Sequence, residues 1–194
     1  MIKRLCIGCW ILLALLMTGC KSKSSEAAAY DRVVEQELAS GKRVDSLFFA
    51  IRFGMSRKEF FTYCWEKHKE GEFMDGLNST AVLYRVNKGL RSIASMNFYP
   101  VFYKDTIYKM WAKFQYDAWA PWNKQLFSDS LLLDVLHLYR EWYPGNDFIK
   151  MADPVKGIIY IKVDGNRRII IGKPDDVHVN VDYTDLLVER KIKK

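Results

Sequence analysis

Residues 52–65, RFGMSRKEFFTYCW, leave the backbone little choice but to turn sharply and enter a helix. Ser56 followed three residues later by Glu59 is a capping box: the Ser hydroxyl accepts from the Glu59 amide, and the Glu carboxylate reaches back to the Ser56 amide. Met55 and Phe60 stand where a hydrophobic staple fixes the entry angle, and Gly54 frees the approach. The spacing predicts a helix over 57–70. Phe60, Phe61, Cys64, Trp65 and His68 form its apolar stripe, with Thr62, Glu66, Lys67, Lys69 and Glu70 opposite. Gly71 is placed to stop it in the left-handed conformation.

The rest of the chain reads mostly as antiparallel sheet. Residues 80–86 predict a strand and 87–89 a turn. Residues 92–103 and 106–117 predict two strands joined tightly at Lys104-Asp105. In the second, Tyr108, Met110, Ala112, Phe114 and Tyr116 face a core, while Lys109, Trp111, Lys113 and Gln115 face solvent. Pro100 implies an edge or a bulge in the first. After a loop at 118–125, Ser128 to Ser130 begins a second helix with Leu132, Val135, Leu136, Tyr139 and Trp142 on one stripe; Asp129 and Arg140 suit its two ends. Residues 144–146, Pro-Gly-Asn, stop it. Residues 157–163 and 167–172 flank Asp164-Gly165-Asn166, a hairpin signal. Val177, Val179, Val181 and Tyr183 alternate with His178, Asn180 and Asp182 in a last strand expected to run on towards Ile192.

Two stretches stay ambiguous. Residues 26–40 carry strong helix formers closed by Gly41, with a narrow stripe of Tyr30, Val33, Val34 and Leu38. They form a helix lying on the domain or a partly ordered spacer. Residues 44–53 are a continuous apolar run that suits a buried strand or a helical turn equally. The expected class is α+β: two consecutive units, each one helix on an antiparallel meander, at about 44–118 and 119–194. The helix starts at Ser56 and Ser130 repeat an architecture rather than a sequence.

At the N-terminus, Lys3 and Arg4 precede an apolar run from Leu5 to Met17, too short for a membrane span, which needs about 20 residues. Met17-Thr-Gly-Cys20 then resembles the lipobox of bacterial lipoproteins, with Met17 where Leu is usual. The resemblance implies a signal peptide over 1–19, a lipidated Cys20 as the first mature residue, a tether over 20–26 and a single globular domain over 27–194. It also implies palmitate-type acylation and a place in the cell envelope, anchored in the outer membrane and facing the periplasm. Several acyl chains at one residue give stable anchoring. Cys6 and Cys9 fall in the leader, so Cys64 is left as an unpaired thiol on an apolar stripe, where it packs as a small hydrophobe.

The opening stretch supports a second resemblance. Gly54-Met55-Ser56-x-x-Glu59-Phe60 is similar to the helix start of the small lipoprotein subunit of the outer-membrane β-barrel assembly machine, and to β-lactamase-inhibitor-protein-like domains with tandem helix-plus-meander units. Both families bind proteins and are not enzymes. The chain also resembles, in general character, a lipoprotein family of Gram-negative envelopes to which no activity attaches.

Charge and motifs narrow the function further. The formal charge is +7; without Lys3 and Arg4 the 30 basic residues become 28 against 23 acidic, near +5. That excess is spread along the chain and forms no basic stripe, so nucleic acid is not an expected partner. His68, His137 and His178 fall on three different elements without metal-ligand spacing, and no nucleophile, phosphate-loop or dinucleotide motif is present. No catalytic residue, metal or cofactor is expected. Asp175-Asp176 reads as turn chemistry. The candidate recognition residues are Trp119 and Trp122 of the loop, with Trp111 on the wetter face of the preceding strand; Trp119 and Trp122 otherwise fold back to cap the sheet. The leading expectation is a non-catalytic, lipid-anchored envelope protein that binds or assembles a protein partner. A glycan-binding lipoprotein using the aromatic loop is the alternative. A carrier of small apolar ligands between helix and sheet, needing a cavity of about 300 Å³ or more, is a third. Cys20→Ser is expected to move the protein from the membrane fraction to a soluble, folded form on envelope fractionation; full retention in the membrane would refute the lipid anchor.

Overall fold

The computed structural model describes residues 25–77 and 80–193. The lipobox and Cys6, Cys9 and Cys20 lie outside the described residues. The described elements are, in order, helices α1 (Ser25–Ala39) and α2 (Arg57–Lys69), strands β1 (Met74–Asp75), β2 (Val82–Val86), β3 (Ala94–Tyr103) and β4 (Thr106–Tyr116), helix α3 (Ser128–Trp142), strands β5 (Ile149–Asp153), β6 (Gly157–Asp164), β7 (Arg167–Gly172) and β8 (Val179–Asp185), and helix α4 (Leu186–Ile192). The strands form one antiparallel sheet in the order β1-β2-β3-β4-β8-β7-β6-β5. The protein is therefore α+β, with two four-strand meanders, each following a helix, joined through their last strands. The two halves share one core as well as one sheet: Phe60 of α2, Phe98 of β3, Val135 of α3 and Val181 of β8 belong to a single apolar cluster. Helix α3 packs across β4, β7 and β8, so it spans the seam between the meanders.

The capping box forms as the sequence dictates. Ser56 Oγ accepts from the Glu59 amide at 3.2 Å and Glu59 accepts from the Ser56 amide at 2.7 Å, and Gly71 follows the helix with φ +74°. The stripe is turned from its expected position. Phe60 and Cys64 are buried and Tyr63 packs against the core, whereas Phe61, Trp65 and His68 face outward. A helix advances about 100° per residue, so once Phe60, Tyr63 and Cys64 fill the core, Phe61 lies more than a quarter turn away and Trp65 nearly opposite. Apolar residues on both sides of Phe60 hid this in the sequence.

Four other expectations are corrected. The run at 44–53 is neither strand nor helix; it is a compact loop pinched by a bridge between Ser46 and Arg52, with Phe49 at φ +53°, that buries Leu47, Phe48, Ile51 and Phe53. In β4 the alternation slips at its start, because a register shift opposite Val101 and Phe102 leaves Tyr108 out and puts Ile107 in the core; this is the bulge that Pro100 signalled, one residue on. Helix α3 begins at Ser128, and the loop before β8 closes its first turn. The Ser128 amide donates to the Asp176 carbonyl and its hydroxyl to the Asp175 carbonyl; Trp142, expected on its buried stripe, is part-exposed beside Tyr139 and Tyr143. The last strand stops at Asp185, whose carboxylate accepts from the amides of Leu187 and Val188 and so caps α4. A buried cap overrides the strand pattern there.

Lys104 and Asp105 both take positive φ, +47° and +64°, as a two-residue turn between twisted strands demands. By register the turn between β6 and β7 lies at the same end of the sheet, and it ties several distant segments together. Gly165, at φ +55°, passes so close to the Lys42 carbonyl that an added Cβ would lie 2.4 Å from it. Its amide donates to Glu37 of α1 at 2.6 Å, and Asn166 accepts from the Val44 amide at 2.6 Å and from the Leu186 amide at 2.8 Å. Asp164 accepts from the Asn146 amide, and Arg167 donates to the Ser46 carbonyl. The Gly165 amide holds the Glu37 carboxyl below the ordinary glutamate range against the opposing effect of burial, with smaller help from Asn146 and Lys42. Because this folded-state value is depressed, the stabilisation is full above the unfolded value and fades as pH falls through the folded one. Glu37→Gln is expected to cost about 1–2 kcal/mol at neutral pH and to speed amide exchange along α1, with the difference from wild type shrinking below the carboxylate range. Equal α1 protection in both proteins at pH 7 would show that this contact does not hold the helix.

Candidate functional site

The two faces of the sheet are treated differently. On the inner face, β2, β3, β4, β7 and β8 present Val86, Met96, Phe98, Phe114, Ile169 and Val181 to the loop at 44–55 and to α2 and α3. On the outer face, Ile159, Ile161 and Val163 of β6 pack with Val34 of α1 and Leu186 of α4. Helix α1 contacts β5 and β6, and α4 contacts β8. Further along, the outer sides of β2, β3, β4 and the first half of β8 carry part-exposed side chains, among them Leu83, Asn97, Tyr99, Trp111, Lys113, Asn180 and Asp182. No described helix packs there.

A trough crosses this open area. One part, about 290 Å³, lies over β7 and β8 between Lys156, Ile170 and Asn180; the other, about 270 Å³, lies over β4 and β8 between Leu77, Trp111 and Lys113. Asn180 and Asp182 line both. The register sets the floor, with Trp111 opposite Tyr99 on one side and Asp182 on the other, and Lys113 between Asn97 and Asn180. Lys156 reaches from the β5–β6 hairpin to Asp182 at 3.1 Å and forms one wall. The opposite wall is the β1–β2 connection, where Asn97 Oδ1 accepts the Leu77 amide at 3.0 Å. Gly76 is required there, since a Cβ would stand 2.5 Å from that same oxygen. Asn180 Oδ1 is buried and has no donor among the described residues, and Lys113 has no ion-pair partner among them. The trough thus offers an indole and a phenol, an ammonium, a carboxylate and an amide on one rigid floor.

The three candidate tryptophans are not brought together. Trp111 sits in the trough on the outer face. Trp119 folds back against the inner core, its ring 6.0 Å from that of Phe127, with its indole N–H buried and unpartnered among the described residues. Trp122 is 84% exposed, beside neither. Asn180, Asp182, Lys156 and Leu77 were not singled out from sequence. The alternation of His178, Asn180 and Asp182 against Val179 and Val181 was the available signal for the first two; the walls come from distant hairpins and left none.

Other reactive side chains are engaged in structure. Burial pushes the Cys64 thiol up to about 12, which keeps it protonated and unreactive at neutral pH. His68 stacks on Trp65, His137 pairs with Glu141, and His178 with Asp175. Among the described residues no group of three or more His, Cys, Asp or Glu is placed to hold a metal ion, and no helix is long and apolar enough to cross a membrane. Tyr139, Tyr143 and Tyr183 form a buried chain of hydroxyls at 2.6 and 2.9 Å, with the Arg167 guanidinium 4.7 Å from the Tyr143 ring. Burial raises the titration of all three phenols, so they serve as neutral hydrogen-bonding groups in the core. An open groove of about 430 Å³ lies beside Phe48, Phe49 and Trp142.

The fold and the site together define an α+β protein with one eight-stranded antiparallel sheet, covered on one face and partly open on the other. No protein-family model, curated protein or solved structure matches the chain. Trp122→Phe is expected to lower acrylamide quenching of the tryptophan emission, whereas Trp119→Phe leaves it unchanged. Trp119→Ala should in addition lower stability by about 2 kcal/mol in urea unfolding. A large drop in quenching on losing Trp119 would contradict its packed position.

Proposed function

We propose that the protein is a non-catalytic, lipid-anchored envelope protein whose open sheet face docks a protein partner. The observation that carries this is the trough floor: a sheet buried on its other side leaves Trp111 and Tyr99 part-exposed at its centre. Sheet faces that serve only stability are covered or charged, and aromatic residues concentrate in recognition patches. Lys113, without a counter-ion among the described residues, fits a carboxylate on the partner, while Trp111, Leu83 and Leu77 fit apolar side chains. The anchor rests on the Met17-Thr-Gly-Cys20 motif, which supports an envelope location. The helix start at Gly54 to Phe60 supports kinship in role with the assembly-machine subunit and the inhibitor-like domains, which bind proteins.

One observation favours a second reading. Trp111 lies among Asn97, Asn180, Asp182 and Lys113, and an indole ringed by amides and charges also stacks on sugars. The glycan reading therefore moves from Trp119 and Trp122 to Trp111. Photo-crosslinking from position 113 in intact envelopes separates the two. A single protein adduct, lost on Trp111→Ala but retained on Trp122→Ala, is expected. Absence of any adduct, together with a change of tryptophan emission on adding envelope polysaccharide that Trp111→Phe abolishes, would replace the protein partner with a glycan.

A further inference from the structure

The outward side of α2 carries a second surface that the trough does not use. Lys58, Thr62, Trp65 and Lys69 follow one another at helical spacing directly away from the core, with Phe61 beside them. Trp65 is 61% exposed and Phe61 44% exposed, high values for large apolar side chains. The rings are held rather than loose. Phe61 lies 6.4 Å from Phe102 of β3, Arg57 sits 4.1 Å above the Phe102 ring, His68 stacks on Trp65, and the Lys69 ammonium is 5.5 Å from the Trp65 ring. The charges nearest Trp65 on the stripe are Lys58 and Lys69, while Glu66 stands at its edge beside Thr62 and Glu59 lies about a quarter turn off. Asp105 is bound to Arg57 at 3.3 Å and Glu70 to Lys67 at 2.7 Å. Lys104, on the β3–β4 turn, extends the basic rim; the Asp105 carbonyl beside it accepts the Arg57 amide at 3.0 Å.

We propose that this aromatic and basic stripe is the face the domain rests on an anionic lipid bilayer. Tryptophan and phenylalanine at the centre of a helix face, with lysine and arginine around them, match the two components of a membrane interface: the acyl boundary takes the rings, and the phosphates take the cations. Helix α2 lies on the inner side of the sheet, so this placement turns the trough away from the lipid and leaves it free for a partner. The contact extends the lipid-anchored reading but is tested separately from it. Cys20→Ser reports on the anchor, whereas the contact is read at Trp65 however the N-terminus is held.

Full-length protein carrying Trp10→Phe, so that the leader gives no signal, is incorporated into vesicles of phosphatidylglycerol and phosphatidylethanolamine brominated high on the acyl chains. Bromine is expected to quench the tryptophan emission, Trp65→Phe to reduce that quenching at least twofold, and Trp122→Phe to leave it unchanged. Replacing phosphatidylglycerol with phosphatidylcholine, or combining Lys58→Glu with Lys69→Glu, should reduce it severalfold. Quenching unaffected by Trp65→Phe would overturn the proposal, as would equal quenching in phosphatidylcholine. Protection of Trp65 by a crosslinked protein in envelopes would assign the stripe to a protein instead.

Discussion

The turn from Asp164 to Arg167 is the constraint on which the arrangement of the chain depends. Within four residues it binds α1 through Glu37, the loop at 42–46 through Asn166 and Arg167, the α3–β5 connection through Asp164, and the start of α4 through the Asn166 carbonyl. These segments are far apart in sequence. Hydrogen bonds between backbone and buried carboxylates, amides and a guanidinium add to the apolar cluster of Val34, Val163 and Leu186 there. Such a network fixes a unique geometry because each unmet group would be costly. Lys162 belongs to it as well: burial lowers its titration while Asp164 opposes that effect, and its ammonium donates to the Asn146 carbonyl.

With that end fixed, the coverage of the sheet follows. Tethered by Glu37, α1 is held on the outer face of β5 and β6, and the Asp185 cap starts α4 beside it. Apart from the Lys109–Glu189 ion pair at the start of β4, neither helix covers the outer side of β2 to β4. On the inner face α3 is drawn across the seam, its Asp134 gripped by Arg91 at 2.9 Å and by the Tyr116 hydroxyl at 2.6 Å. The open trough and the aromatic stripe on α2 are therefore on opposite sides of one sheet, two exposed surfaces of different chemistry.

Much of this could be read before the structure, and the limits are physical. The capping box at Ser56, the turn at Lys104-Asp105 and the hairpin at Gly165 were legible because each is decided by a few adjacent residues. The outer location of Trp111 was legible from alternation, which is also local. The rotation of α2 was not, since Phe60, Phe61, Cys64 and Trp65 are all apolar and only tertiary packing selects among them. The slip at Tyr108 depends on a bulge set by the partner strand. The helix after Asp185 depends on a cap whose value comes from burial. Trp119 and Trp122 look alike in sequence, yet Phe127 takes one of them and nothing described takes the other. The trough itself needs β4 beside β8, a pairing between halves of the chain that no local pattern announces.

That pairing has a consequence for how the protein is made. Strand β4 lies at the middle of the finished sheet, but Phe114 and Val179 meet only after the whole second meander exists. Until then a long, well-formed strand with Met110, Ala112 and Phe114 on one side presents an unpaired edge, the form of β-structure most prone to join a wrong neighbour. In a chain made from its N-terminus β4 exists before β8, and the pairing with β8 both closes the edge and completes the trough. Completion of the trough and burial of the β4 edge therefore come from the same pairing.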